Sequence, residues 1–293
     1  MTEPKPTSSP VEPAIVRFGL AQRIEHGLFL LSFSLLGFTG LIQKYFASGF
    51  GQAALKALGG VEQTRLIHHS AAIVMMVVTI YHVLELTYNL IVLRTPLSML
   101  PVIGDFVHLY HDVMFYLGLR RHKAYYGRYN YAEKVEYLAV VWGTIIMGIT
   151  GFMMWNPITT TKIFPGEAIP AAKAAHGAEA VLAVAAIVIW HFYHVHLRHF
   201  NKSMFTGKLS EKEMEHEHPA ELAQIRGSTA PTRSDPAELR RRRRIFYPVA
   251  AVLTILMVGS VAVFLGIETT AYATLPPLAP VTVFDPVTPT PQP

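Results

Sequence analysis

The sequence predicts an all-α integral-membrane protein, a four-helix transmembrane bundle followed by a fifth transmembrane helix. Three observations predict it. Of 293 residues, 51% are hydrophobic and only 15% charged, against about 25% charged residues in an ordinary soluble chain. The deficit is concentrated in five long, charge-poor apolar stretches. The basic residues behind the net charge of +5 sit beside those stretches, a distribution that membrane topology explains better than nucleic-acid binding.

In chain order, residues 1–16 are rich in Pro, Ser and Thr and read as a disordered tail. They lack the basic start and apolar core of a cleavable signal peptide. Spans are expected at 24–46, 66–93, 134–156, 176–198 and 245–267, each near the ~20 residues that cross a bilayer. The bundle occupies 17–218, a charged linker 219–244, the fifth helix 245–267 and a proline-rich external tail 268–293. Between spans two and three, LSMLPVIGDFVHLYHDVMFYLGL reads as an amphipathic helix in the interface. The run Arg240–Arg244 reads as a stop signal and lipid-headgroup contact. Lys and Arg gather on the N-terminal flank and in the second and fourth connections. By the positive-inside rule the N-terminus is cytoplasmic and the C-terminus outside. No internal repeat stands out.

Cysteine is absent, which excludes disulfides, cysteine-bound iron–sulfur clusters and covalent c-type heme. The chemistry lies in histidines inside the spans, where a polar imidazole is costly and needs a partner. His26 begins span one; His68, His69 and His82 lie in span two; His176, His191, His194 and His196 lie in span four. His82 follows His68 by 14 residues and His191 follows His176 by 15, about 21–22 Å along a helix. The spacing stacks two levels across the membrane, with His68 and His176 at one level and His26, His82, His191 and His194 at the other. Paired imidazoles at two depths suit b-type heme iron. Zinc is the runner-up, although its sites gather three or four ligands at one depth.

Four stretches carry a family resemblance: QRIEHGLFLLSFSLLGFTG, TRLIHHSAAI, GRYNYAEKVEYLAVVWGTIIMGITGFMMW and AAHGAEAVLAVAAIVIWHFYHVHLRHFNKSMFTGKLS. Across residues 17–218 the chain resembles the cytochrome b (gamma) subunits of membrane-bound formate dehydrogenases and related diheme cytochromes b. The resemblance implies an outer heme held by His68 and His176. It implies an inner heme held by His26 and a second span-four histidine, His191 or His194. It also places Asn130 at a quinone site. The chain departs from the family in two ligand positions: Trp190 stands where a ligand 14 residues after His176 would be, and His82 has no family counterpart. His82 with a span-four partner is thus an alternative inner pair, and six well-placed histidines would permit a third heme.

The function expected is a membrane-anchoring diheme cytochrome b subunit of a respiratory complex. It would carry electrons between a quinone or menaquinone pool and a partner, an iron–sulfur protein or a multiheme cytochrome c. The chain holds no visible substrate-catalytic domain. Glu85, Asp112, Glu133, Glu136 and Tyr137 are candidates for handling protons at the quinone. Competing classes are a proton-relay transporter and a heme-free membrane anchor.

Overall fold

The computed structural model describes residues 14–198, 200–227 and 235–266. The proline-rich tail 268–293 and residues 1–13 lie outside the described residues. In chain order the elements are β1 (Ala14–Val16), α1 (Leu20–Lys44), α2 (Gly49–Ala57), α3 (Val61–Tyr88), α4 (Ile103–Tyr116), α5 (Tyr131–Trp155), α6 (Pro157–Thr161), α7 (Ala168–Ala186), α8 (Ser203–Thr206), β2 (Lys208–Ser210), α9 (Glu211–Glu217), α10 (Pro219–Gly227) and α11 (Pro236–Gly266). Two helices continue as π-helix, α3 through Asn89–Leu93 and α7 through Ile187–Arg198.

Among the described residues five helices are long and apolar enough to cross a membrane, one at each expected span. Their outward faces are apolar: Leu31, Val77, Trp142, Ile149, Ile189 and Ile255 are all exposed, as hydrocarbon contact requires. The small inward residues Ser32, Thr39 and Thr150 are buried instead. Their hydroxyls are satisfied by carbonyls one turn back: Leu28 O at 2.8 Å, Leu35 O at 2.6 Å and Ile146 O at 2.6 Å. Interfaces of this kind let helices approach closely where apolar burial supplies no driving force.

The helices pack as two hairpins, α1 with α3 and α5 with α7, joined where α1 meets α7. Helix α11 lies against α3 and its π continuation. Arg242 Nη1 donates to Val92 O at 3.1 Å and Arg243 Nε to the Tyr88 hydroxyl at 2.9 Å. Two arginines of the 240–244 run thus serve the carboxyl end of a neighbouring helix as well as marking the end of a span.

The absence of a repeat is corrected by the structure. Thr39–Gly40 of α1 contacts His68 of α3 as Thr150–Gly151 of α5 contacts His176 of α7. Glu25, 14 residues before Thr39, binds His82; Glu136, 14 residues before Thr150, binds His191. The repeat escapes a sequence reading because it consists of a few inward positions, while lipid-facing residues need only be apolar.

At the basic end, which gathers the starts of α1, α5 and α11, a small cap closes the bundle. β1 pairs antiparallel with β2, Ile15 opposite Leu209, over a core of Leu209, Met214 and Leu222. Arg17 Nη1 and Arg128 Nη1 hold the two oxygens of Glu221 at 2.6 and 2.9 Å. Each of these arginines also donates to the other's backbone carbonyl. Two segments therefore differ from the sequence reading. Residues 14–16 are a strand rather than tail, and 219–227 are a packed helix rather than linker. Both are short, and both are ordered by partners remote in sequence.

Helix α4 presents Ile103, Phe106, Tyr110 and Val113 outward. Its inward face is polar: Asp105 binds Lys134 Nζ at 2.9 Å, and Asp112 accepts from Ala124 N at 2.9 Å and from Tyr126. An apolar outer face over a polar inner one suits a helix lying in the interface.

His218, 1% exposed, has Nδ1 3.0 Å from Gly127 O. Burial, reinforced by Arg17, pushes its pKa down to about 4. The folded cap therefore favours neutral His218. Its stability is complete above the unfolded value near 6.5 and declines as pH falls from there towards 4, by at most roughly 3 kcal/mol. Hydrogen-exchange protection of the α9–α10 segment, corrected for the intrinsic pH dependence of amide exchange, is expected to fall over that window. Protection unchanged from pH 7 to pH 4 would contradict the assignment.

Candidate functional site

His68 and His176 face each other across the bundle, ring centroids 6.4 Å apart. Two metal–imidazole bonds of about 2 Å, with each ring centre roughly 1 Å behind its nitrogen, give a separation near 6 Å. The Nδ1 atoms are engaged, His68 with Thr39 Oγ1 at 2.8 Å and His176 with Thr150 Oγ1 at 2.9 Å. Nε2 of each ring is the atom left for a metal. A Cβ on Gly40 would stand 3.3 Å from His68 Cε1, and one on Gly151 would stand 3.3 Å from His176 Cε1. Both glycines leave the rings room to turn. The adjacent His69 is directed elsewhere and stacks on Trp155 at 3.7 Å.

The second level lies towards the basic end. His26 comes close enough to His191 and His196 to interact electrostatically with both. His191 Nδ1 is 3.1 Å from Glu136 Oε2, a carboxylate support of the kind that orients metal-binding imidazoles. The π-helix puts His191 there. An i→i+5 turn takes in one residue more than an α-turn, so the added residue between His176 and His191 is absorbed and the indole of Trp190 is not in the ligand position.

The same π geometry accounts for His196, which the sequence reading leaves out of the candidate ligands. Residues five apart diverge by about 140° on an α-helix but share a face on a π-helix. The His191 and His196 rings lie 6.5 Å apart. Without knowledge of the π segment, the sequence carries no signal for that pairing.

The remaining candidates are placed otherwise. His194 has Nδ1 2.8 Å from Trp190 O and its ring 4.3 Å from the indole. His82 has both nitrogens engaged, Nδ1 with Glu25 Oε1 at 2.6 Å and Nε2 with the Tyr137 hydroxyl at 2.9 Å. Glu85 lies beside Glu25, which groups carboxyls, imidazole and phenol across α3, α1 and α5. Asn130 caps α5: its Oδ1 accepts from Glu133 N at 2.9 Å, and Glu133 Oε2 accepts from Asn130 N at 2.8 Å. That reciprocal box occupies Glu133 as well. Among the described residues no three His, Asp or Glu side chains converge as a zinc site requires.

Opposed imidazoles with Nε2 free, room beside each ring and apolar helices around them fit a heme held by two histidines. Fold and site together define a membrane cytochrome b. A family model described as prokaryotic cytochrome b561 matches residues 17–207, and the chain belongs to that family. It is therefore an integral-membrane, heme b-binding electron-transfer cytochrome. The match covers the four-helix bundle and the start of the cap, and α11 lies beyond it. A comparison with curated proteins returns no match.

Proposed function

We propose that the protein is the membrane-anchoring diheme cytochrome b subunit of a respiratory redox complex. It would carry electrons between a quinone pool and an external iron–sulfur or multiheme cytochrome c subunit. The observation that supports this most is the occurrence of imidazole groups at two depths, His68 with His176 and His26 with His191. Heme b, when bound, supplies a one-electron couple at each level, while the chain fixes orientation and excludes water. The resemblance to formate dehydrogenase gamma subunits suggests the type of complex, in which substrate chemistry belongs to other subunits. The Lys and Arg distribution supports a bacterial inner-membrane location with the basic end cytoplasmic. Quinone chemistry belongs at that end, beside the second level. Quinone reduction consumes protons, and the group of Glu85, Glu25, His82 and Tyr137 offers a path for them.

The test is reduction of the purified cytochrome by a short-chain quinol, followed through its heme spectrum. Rapid reduction is expected, and Asn130→Ala is expected to slow it at unchanged heme content. Loss of the cap alone costs about 1 kcal/mol of helix stability, which would leave the rate unchanged. Failure of quinols to reduce the wild-type cytochrome would overturn the quinone assignment.

A further inference from the structure

Thr39 and Thr150 stand in corresponding places in α1 and α5, each followed by the glycine that makes room for an imidazole. Both side chains are buried, and Thr39 is only 1% exposed. A threonine hydroxyl bonded to the carbonyl one turn back is ordinary in a membrane helix, and alone it would mean nothing. Here the same hydroxyls also meet the rings. Thr39 Oγ1 donates to Leu35 O at 2.6 Å, so towards His68 Nδ1 at 2.8 Å it acts as acceptor. Thr150 Oγ1 donates to Ile146 O at 2.6 Å and accepts from His176 Nδ1 at 2.9 Å. With its single proton committed to the backbone, each hydroxyl requires the proton on Nδ1 and the lone pair on Nε2. The β-branch adds stiffness at χ1.

We infer that Thr39 and Thr150 are positioning residues that fix the tautomer and increase the donor strength of His68 and His176, and thereby lower the midpoint potential of the heme between them. The inference rests on reading those histidines as axial ligands. An acceptor on Nδ1–H makes an imidazole a stronger ligand, and stronger donation favours ferric over ferrous iron. Two acceptors, one on each ligand, act in the same direction. They do so without placing a charge in the membrane, unlike the carboxylate that supports His191 at the other level.

The experiment is a potentiometric titration of the purified full chain, read in the heme absorption bands. Thr39→Val keeps the shape and removes the acceptor, and is expected to shift one of the two midpoints upward. Thr39→Ser is expected to restore the wild-type value. Thr150→Val is expected to move the same midpoint in the same direction, and the double variant to move it further than either single one. An unchanged potential in both valine variants with heme retained would overturn the inference. So would a serine variant shifted as far as the valine variant, because the effect would then lie in shape rather than in the hydroxyl. Where the valine variants lose the heme, the serine variants must hold it at the wild-type potential, and loss there too overturns the inference. Retention of both hemes by His68→Ala would instead overturn the ligand assignment beneath it.

Discussion

Alanine at His68 or His176 is expected to remove one heme and leave the other in place. The two rings are opposed at 6.4 Å, each with Nδ1 held by a threonine, so removing either would leave a single imidazole to hold the group. The second level, about 20 Å along the helices, keeps its own imidazoles. Pyridine hemochrome quantification against protein would read the loss directly, and the reduced-minus-oxidised spectrum should retain one low-spin component. His69→Ala is the internal control. Its ring stacks on Trp155 at 3.7 Å, so its removal should cost packing and not heme. Loss of heme from His69→Ala with retention by His68→Ala would place the register of α3 one residue wrong. Full heme content in both His68→Ala and His176→Ala would remove the outer site altogether.

Much of this arrangement is legible in the sequence because the membrane restricts the possibilities. Length and lack of charge suffice to locate five spans, and imidazoles in hydrocarbon announce themselves. The outer level is the more legible of the two because His68 and His176 sit in regular α-helix, where 100° per residue holds. The inner level is less legible, since α7 changes to π-helix at Ile187 and sequence periodicity assumes α geometry. Trp190 in place of a histidine then looks like a defect, and His196 looks unrelated to His191. The cap is obscured for another reason. Arg17, Arg128, His218 and Glu221 come from three remote segments, and each alone reads as a solvated polar residue. The Thr–Gly pairs are visible in the sequence, but nothing local says that a histidine from another helix leans on each.

The inner ligands give the second large effect. Alanine at His26 or His191 is expected to remove the heme that the His68 and His176 variants keep, and alanine at His82 or His194 to leave both hemes bound. His26 lies within electrostatic reach of His191. Glu136 on His191 Nδ1 leaves the other ring nitrogen for iron. His82 is spanned by Glu25 at one nitrogen and Tyr137 at the other, so ligation would require the Tyr137 bond to break. Yet the repeat makes His82 the counterpart of His191, with Glu25 in the position of Glu136. The repeat favours the pairing of His82 with His191, while the proximity of His26 to His191 favours the other. Nitrogen availability decides for His26, because an iron bond needs an unengaged ring nitrogen and both of those of His82 are hydrogen-bonded. Heme content and low-temperature spectra of the four alanine variants separate the cases. If His82→Ala loses a heme while His26→Ala keeps both, the symmetric pair is the ligand set and Tyr137 yields on binding. If His26→Ala and His82→Ala each lose a different component, the chain carries three hemes, with His196 the nearest additional donor to His191. Loss from His26→Ala and His191→Ala alone leaves His82 to its hydrogen-bonded chain. In that case His82→Ala should slow reduction by quinol at full heme content, because an imidazole between a carboxylate and a phenol can pass a proton without leaving its place.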